Sequence, residues 1–171
     1  MMNEDEGNPS WSSFLIDLDL SIEEQREESS GARAKTGTRA FMAIGVLLGE
    51  KHSFRHDLES FFWVLFWISI HYAEPVGKGR ITKFEDWNYA DTERLAKEKL
   101  GTVGDESIFI KTITENFTPY YQPLIPWVNR LRKAVFPNGG ISKNDDTGLY
   151  ARMKDILREA QKDVKVYQHK F

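Results

Sequence analysis

The 171-residue chain contains no cysteine. That removes disulfide frameworks, thiolate zinc sites and cysteine nucleophiles, and it fits a reducing compartment. An excess of positive charge is also missing, since 23 basic residues face 26 acidic ones for a net charge of -3. Such a balance exerts no general attraction on phosphate backbones or anionic lipid, so nucleic acid is not an expected partner. Long apolar runs are absent too. The longest, Phe61 to Ile68 with Ile70 beyond Ser69, is far short of the ~20 residues of a spanning helix, and no membrane partner is expected. The opening Met1-Met2-Asn3-Glu4-Asp5-Glu6 is acidic where a secretory signal is basic and then apolar. Export is disfavoured, and an intracellular location, cytoplasmic or nuclear, is the expectation.

What is present suits one globular domain: 40% hydrophobic and 29% charged residues, with 5 Trp, 11 Phe and 6 Tyr to fill a core. Near the N-terminus the turn signal Gly7-Asn8-Pro9-Ser10 and the apolar run Phe14-Leu15-Ile16 predict a short β-hairpin. Residues 21–38 are polar, carry Glu23, Glu24, Glu27 and Glu28 and then Arg33 and Lys35, and read as a mobile surface segment. Asp57 can cap a helix that runs to about Tyr72, and every position from Phe61 to Ile68 is apolar. A helix with no polar face must be surrounded by protein, which makes this one the predicted centre of the fold. Further helices are predicted at about 91–100, 105–116, 122–135 and 148–165, the last from Leu149, Met153, Ile156, Leu157 and Ala160 at helical spacing. Lys162, Lys165 and Lys170 read as its solvated end.

Asp17 and Asp19 leave the apolar run on alternate positions. Two carboxylates of this kind either sit in an ordinary polar turn or supply oxygen ligands for Mg²⁺ beside phosphate oxygens. One chemistry that uses such a pair is the aspartate-nucleophile phosphatase type, which Phe14 to Leu20 alone resembles equally well. It demands alternating strands and helices downstream, whereas this sequence turns helical. Ser29, Ser30 and Thr36, with Arg33 and Lys35 nearby, are either phosphate acceptors or plain loop hydroxyls. His52 and His56 are four apart, but no third metal ligand accompanies them and Gly49 argues for a loop.

Three segments taken in order say more than any one of them. Phe14-Leu15-Ile16-Asp17-Leu18-Asp19-Leu20 is followed by Gly37-Thr38-Arg39-Ala40-Phe41-Met42-Ala43 and then by His56-Asp57-Leu58-Glu59-Ser60-Phe61-Phe62-Trp63. At these spacings the chain resembles the fungal-type protein kinases, and is also similar to the casein kinase I group. The likeness covers most of residues 12–72 and, less specifically, the region of Trp87, Tyr120-Tyr121 and Trp127. Ile44-Gly45 departs from the Pro-Glu that ends this segment in most kinases, so the usual buried Glu to Arg pair is not expected.

The resemblance implies a mainly α architecture, the helical C-lobe of a protein-kinase-like fold with a short N-terminal β-hairpin and no N-lobe, spanning residues 1–171. Its parts are a metal-binding loop at 14–20, an activation segment at 21–45, a central buried helix at 57–72 and C-terminal helices over 91–165. It implies transfer of the ATP γ-phosphoryl group to a protein Ser or Thr, with Mg²⁺ and ATP as cofactors of the full-length family. Asp17 becomes the metal carboxylate, Thr38 the hydroxyl that helps select a substrate, and Asp57 the carboxylate that supports the catalytic loop. A Gly-rich loop, a strand lysine and a His-Arg-Asp loop are absent, with only sixteen residues before Asp17. Neither ATP nor Mg²⁺ is expected to be held tightly by this chain. It reads as part of an active Ser/Thr kinase, or as a non-catalytic interaction module whose partners are a protein substrate, another protein, or further copies of itself joined through exposed apolar surface.

Overall fold

The computed structural model describes residues 38–74, 79–141 and 146–167. The predicted hairpin, the 14–20 loop and the activation segment up to Gly37 lie outside the described residues. Within them the chain is mostly helical and contains no strand, only an isolated antiparallel bridge between Tyr72 and Gly79. No helix among them is long and apolar enough to cross a membrane.

A 3-10 turn at Arg39–Phe41 leads into α1, Ile44–Leu47. The centre of the fold is α2, Phe54–His71. It begins three residues before the predicted cap. Ser53 is the N-cap, and the His56 ring closes a capping box by accepting the Ser53 backbone N–H on Nδ1 at 3.0 Å. Asp57 therefore falls within the first turn, where its charge still favours the helix dipole although it does not cap. At the other end Tyr72 turns extended. Arg80 meets the exposed carbonyls there: its Nε donates to Ile70 O at 2.7 Å, and its Nη2 donates to Asn116 O at the end of a second helix. One guanidinium thus satisfies two helix C-termini.

The centre of α2 is two-sided, contrary to the expectation that it is surrounded. Phe62, Trp63, Phe66 and Ile70 are fully buried, whereas Phe61 remains 66% exposed. Residues 62, 66 and 70 recur every four positions and 63 lies beside them, so they share one helical face. Phe54, Leu58, Leu65 and Ile68 are half-buried between the two sides.

The buried face meets α4 (Glu106–Asn116), α5 (Ile125–Val135) and the 3-10 segments at Lys83–Asn88 and Pro119–Leu124. Its aromatic rings interlock edge to face. Trp63 lies 5.4 Å from Trp87, Phe66 lies 5.3 Å from Phe84, and Phe62 lies 5.3 Å from Phe136. Such pairs add about 0.5–1.5 kcal/mol each beyond their buried area. Two capping carboxylates define the intervening helices. Asp91 accepts the Arg94 N–H before α3 (Thr92–Val103), and Asp105 accepts the Ser107 and Ile108 N–H groups before α4. Gly139 packs on the junction between them with φ +74, and a Cβ there would stand 2.0 Å from Gly104 O. Only glycine fits that approach.

Helix α6, Leu149–Lys162, lies on α5 and buries Leu149, Met153, Ile156 and Ala160 as the spacing predicts. Leu157, assigned to the same stripe, is instead 42% exposed, because a position one residue past Ile156 turns off the narrow buried face. Lys162 is solvated, as is Lys165 in the closing turn α7, Val164–Tyr167. Lys170 lies outside the described residues.

The two sides of α2 carry opposite consequences for substitution. Trp63→Ala is expected to lose about 3–5 kcal/mol of stability through the cavity it leaves. Phe61→Ser is expected to stay within about 0.5 kcal/mol of the parent. Urea unfolding followed by circular dichroism checks both, and equal losses would mean that Phe61 is covered in solution.

Candidate functional site

A short extended link, Met42–Ala43, joins the 3-10 turn to α1, and of the residues that the sequence singles out Thr38 lies just before it. Thr38 precedes that turn, exposed, with its carbonyl accepting the Phe41 N–H at 2.8 Å. The turn itself is fastened by three contacts. Ala40 is buried, Phe41 meets the edge of Trp67 at 5.7 Å, and Arg39 Nη1 donates to Ala90 O. Thr38 is thus an exposed hydroxyl on an anchored support.

Two buried charges hold the link. Glu59, on α2, is 4% exposed, and its Oε1 accepts the Ile44 N–H at 2.7 Å and the Trp63 Nε1–H at 3.0 Å. The first of these bonds satisfies an amide at the start of α1 that has no partner in its own helix. Lys99, on α3, is completely buried, and its Nζ donates to Met42 O at 2.6 Å. The ammonium stands 4.5 Å from the Trp63 ring and 5.5 Å from the Trp87 ring, in cation–π range of both. One carbonyl and one N–H, two residues apart, are therefore gripped from two different helices.

Burial sets the proton affinities of this pair. Desolvation pushes the Glu59 carboxyl above the usual carboxylate range, against the bonds from Ile44 and Trp63 and the attraction of Lys99 and Arg55. It pulls the Lys99 ammonium down to about 7, against the attraction of Glu59.

A second cluster packs against Gly45, one of the two residues that depart from the Pro-Glu ending of most kinases. A Cβ on it would lie 2.5 Å from both Glu50 Oε2 and His56 Nε2. Glu50 fills this space with Arg55 and His56: Arg55 Nη2 donates to Glu50 Oε2, and His56 Nε2 lies 3.2 Å from the same oxygen. Because His56 Nδ1 accepts from Ser53, the ring proton sits on Nε2 and donates to Glu50. Burial first, then the nearby Arg55 charge, lowers the His56 pKa. Burial alone would raise Glu50, but the bonds from Arg55 and His56 hold it below the ordinary range.

Asp57 points away from these clusters in its interactions: its carboxylate pairs with His52 Nε2 at 3.1 Å, and 63% of its side chain is exposed. That hydrogen bond raises the His52 pKa. His52 and His56 do not form a metal site, since each is committed to a different carboxylate. Among the described residues no group of three or more His, Asp or Glu is placed to hold a metal. Asp17 and Asp19, and Ser29, Ser30 and Thr36, lie outside the described residues. The helical succession after Thr38 does not suit the alternating strands that an aspartate-nucleophile phosphatase needs.

Glu59 and Lys99 were not among the residues the sequence marked. Glu59 was visible only as part of His56-Asp57-Leu58-Glu59-Ser60, and one signal could have raised it: helical spacing sets it four residues before Trp63, on the buried face. Lys99 carries the same signal, four residues after Leu95 and four before Val103 on the buried face of α3, but the other charges of that helix are mostly exposed and mask it.

The protein-family comparison agrees with the motif reading. The family described as Fungal protein kinase matches residues 1–69, and the resemblance of this stretch to that family is thereby shown. A similarity to the casein kinase I group is not. No curated protein and no solved structure matches the chain.

The Lys99 environment has a measurable consequence. The folded state releases the ammonium proton near pH 7, whereas the unfolded chain keeps it to about 10.5. Between those values the unfolded state binds more protons, so Lys99 makes stability rise with pH across that window. Lys99→Met is expected to remove that rise, as read from urea midpoints between pH 7 and pH 10. An unchanged slope would place the titration elsewhere.

Proposed function

We propose that this chain is the C-terminal part of a fungal-type Ser/Thr protein kinase domain. The observation that carries the reading is the family match over residues 1–69, a span that includes all three ordered motifs. In the complete enzyme Asp17 holds Mg²⁺ against the ATP phosphates, Thr38 helps to select a hydroxyl substrate, and Asp57 supports the backbone of the catalytic loop. Phosphoryl transfer depends on positioning and on neutralising charge, and Mg²⁺ supplies the latter when bound. These 171 residues contain no Gly-rich loop, no nucleotide-clamping lysine and no His-Arg-Asp base. They are accordingly inactive alone and bind ATP and Mg²⁺ weakly, and their location is cytoplasmic or nuclear.

A second reading, a non-catalytic kinase-like interaction module, draws on one specific observation: Phe61 stands 66% exposed in the middle of an apolar helix. A single exposed ring is not a patch in itself, so this reading requires that a protein partner or a second copy extend over it.

The test is a labelling assay with radioactive ATP, Mg²⁺ and casein. The chain alone is expected to label nothing. Co-expressed with a fungal-family segment carrying the Gly-rich loop, the lysine and the His-Arg-Asp loop, it is expected to label casein, and Asp17→Asn should slow that reaction about 100-fold or more. Labelling that survives Asp17→Asn, or labelling by the chain alone, would remove the catalytic assignment.

A further inference from the structure

We propose that Glu59 and Lys99 are positioning residues that clamp Met42–Ile44 from two helices and thereby fix the turn that presents Thr38. Gly45 carries no side chain, and the space one would need is filled by Glu50 and His56. The carboxylate comes from α2 and accepts the Ile44 N–H directly. The cation arrives from α3 and bonds the backbone at Met42 O, two residues earlier. Because Met42 and Ala43 are extended, these two groups have no helical partners of their own. The clamp supplies them.

The link transmits this placement to Thr38 over a short, supported path. Phe41 N–H bonds Thr38 O at 2.8 Å, and Met42 N–H bonds Arg39 O at 3.1 Å, so the turn closes directly onto the clamped residue. Trp63 couples the two arms, donating to Glu59 and lying under Lys99. Arg55 is the other charge facing Glu59 and is bound to Glu50.

The proposal divides into a structural arm that stands alone and a substrate arm that rests on the kinase reading, and the experiment separates them. Residue-resolved amide exchange is measured on the full chain and on Glu59→Leu, Glu59→Gln and Lys99→Met. Both Glu59→Leu and Lys99→Met are expected to speed exchange at Phe41, Met42 and Ile44 by about tenfold or more relative to Phe109 and Ile113 in α4, which report global opening. Glu59→Gln keeps the acceptor oxygen and should return Ile44 to within about threefold of the parent. Lys99→Met removes a buried charge and remains informative if Glu59→Leu fails to fold. Equal changes at the link and in α4 would reduce both residues to general stability and overturn the proposal.

In the co-expressed kinase pair, Lys99→Met should raise KM for casein several-fold and leave KM for ATP unchanged. An active pair with unchanged KM for casein would overturn the substrate arm. A pair that never labels casein, with exchange loosened only at residues 41–44, would uphold the clamp and discard the kinase reading.

Discussion

A carboxylate and an ammonium group are buried in the same core, among its aromatic rings, and the local structure is arranged to satisfy them. Left unpaired, either charge would cost several kcal/mol. Glu59 therefore takes two N–H donors and Lys99 takes a carbonyl and two indole faces. Those partners come from the link, α2 and the 83–88 segment. Trp63 belongs to both systems, being a core ring and a hydrogen-bond donor at once. The aromatic packing and the placement of residues 42–44 thus depend on one another.

The same helix that organises the core leaves part of itself uncovered. α2 offers more apolar surface than the described helices bury, and its exposed side is centred on Phe61. A helix surrounded on every side would place no ring of that size in water. The uneven covering has a simple origin: α4, α5 and the 3-10 segments approach from the side of Phe62, Trp63 and Phe66.

Where Ile44-Gly45 stands, the backbone is held from outside the segment. Gly45, with no side chain, lies against Glu50 and His56, and a buried carboxylate from α2 accepts the neighbouring Ile44 N–H. The nearby cation is Lys99, whose Nζ makes one short bond to Met42 O and lies over two rings.

Much of the fold was legible in the residues. The apolar run at 61–68 marked the central helix, the spacing of Leu149, Met153, Ile156 and Ala160 marked α6, and the Asp91 and Asp105 positions begin helices where acidic caps are favoured. These features are local, set by periodicity and by the first turn's need for acceptors. The kinase-family motifs were legible too, because their order and spacing survive in a linear chain. Three things were decided only in three dimensions. The start of α2 moved to Ser53 because His56, three residues on, closes the capping box there in place of the Glu or Gln of the usual pattern. Phe61 and Phe62 are neighbours of the same type, yet one is exposed and the other buried, since adjacent helical positions diverge by about 100° and only the packed helices choose between them. Helical spacing sets Lys99 on the buried face with Leu95 and Val103, but the groups that let its charge be buried, Met42 O, Trp63 and Trp87, are distant in sequence and meet only in the fold. Periodicity encodes which face a residue occupies, but the partners that allow a charge to be buried are supplied by the rest of the chain.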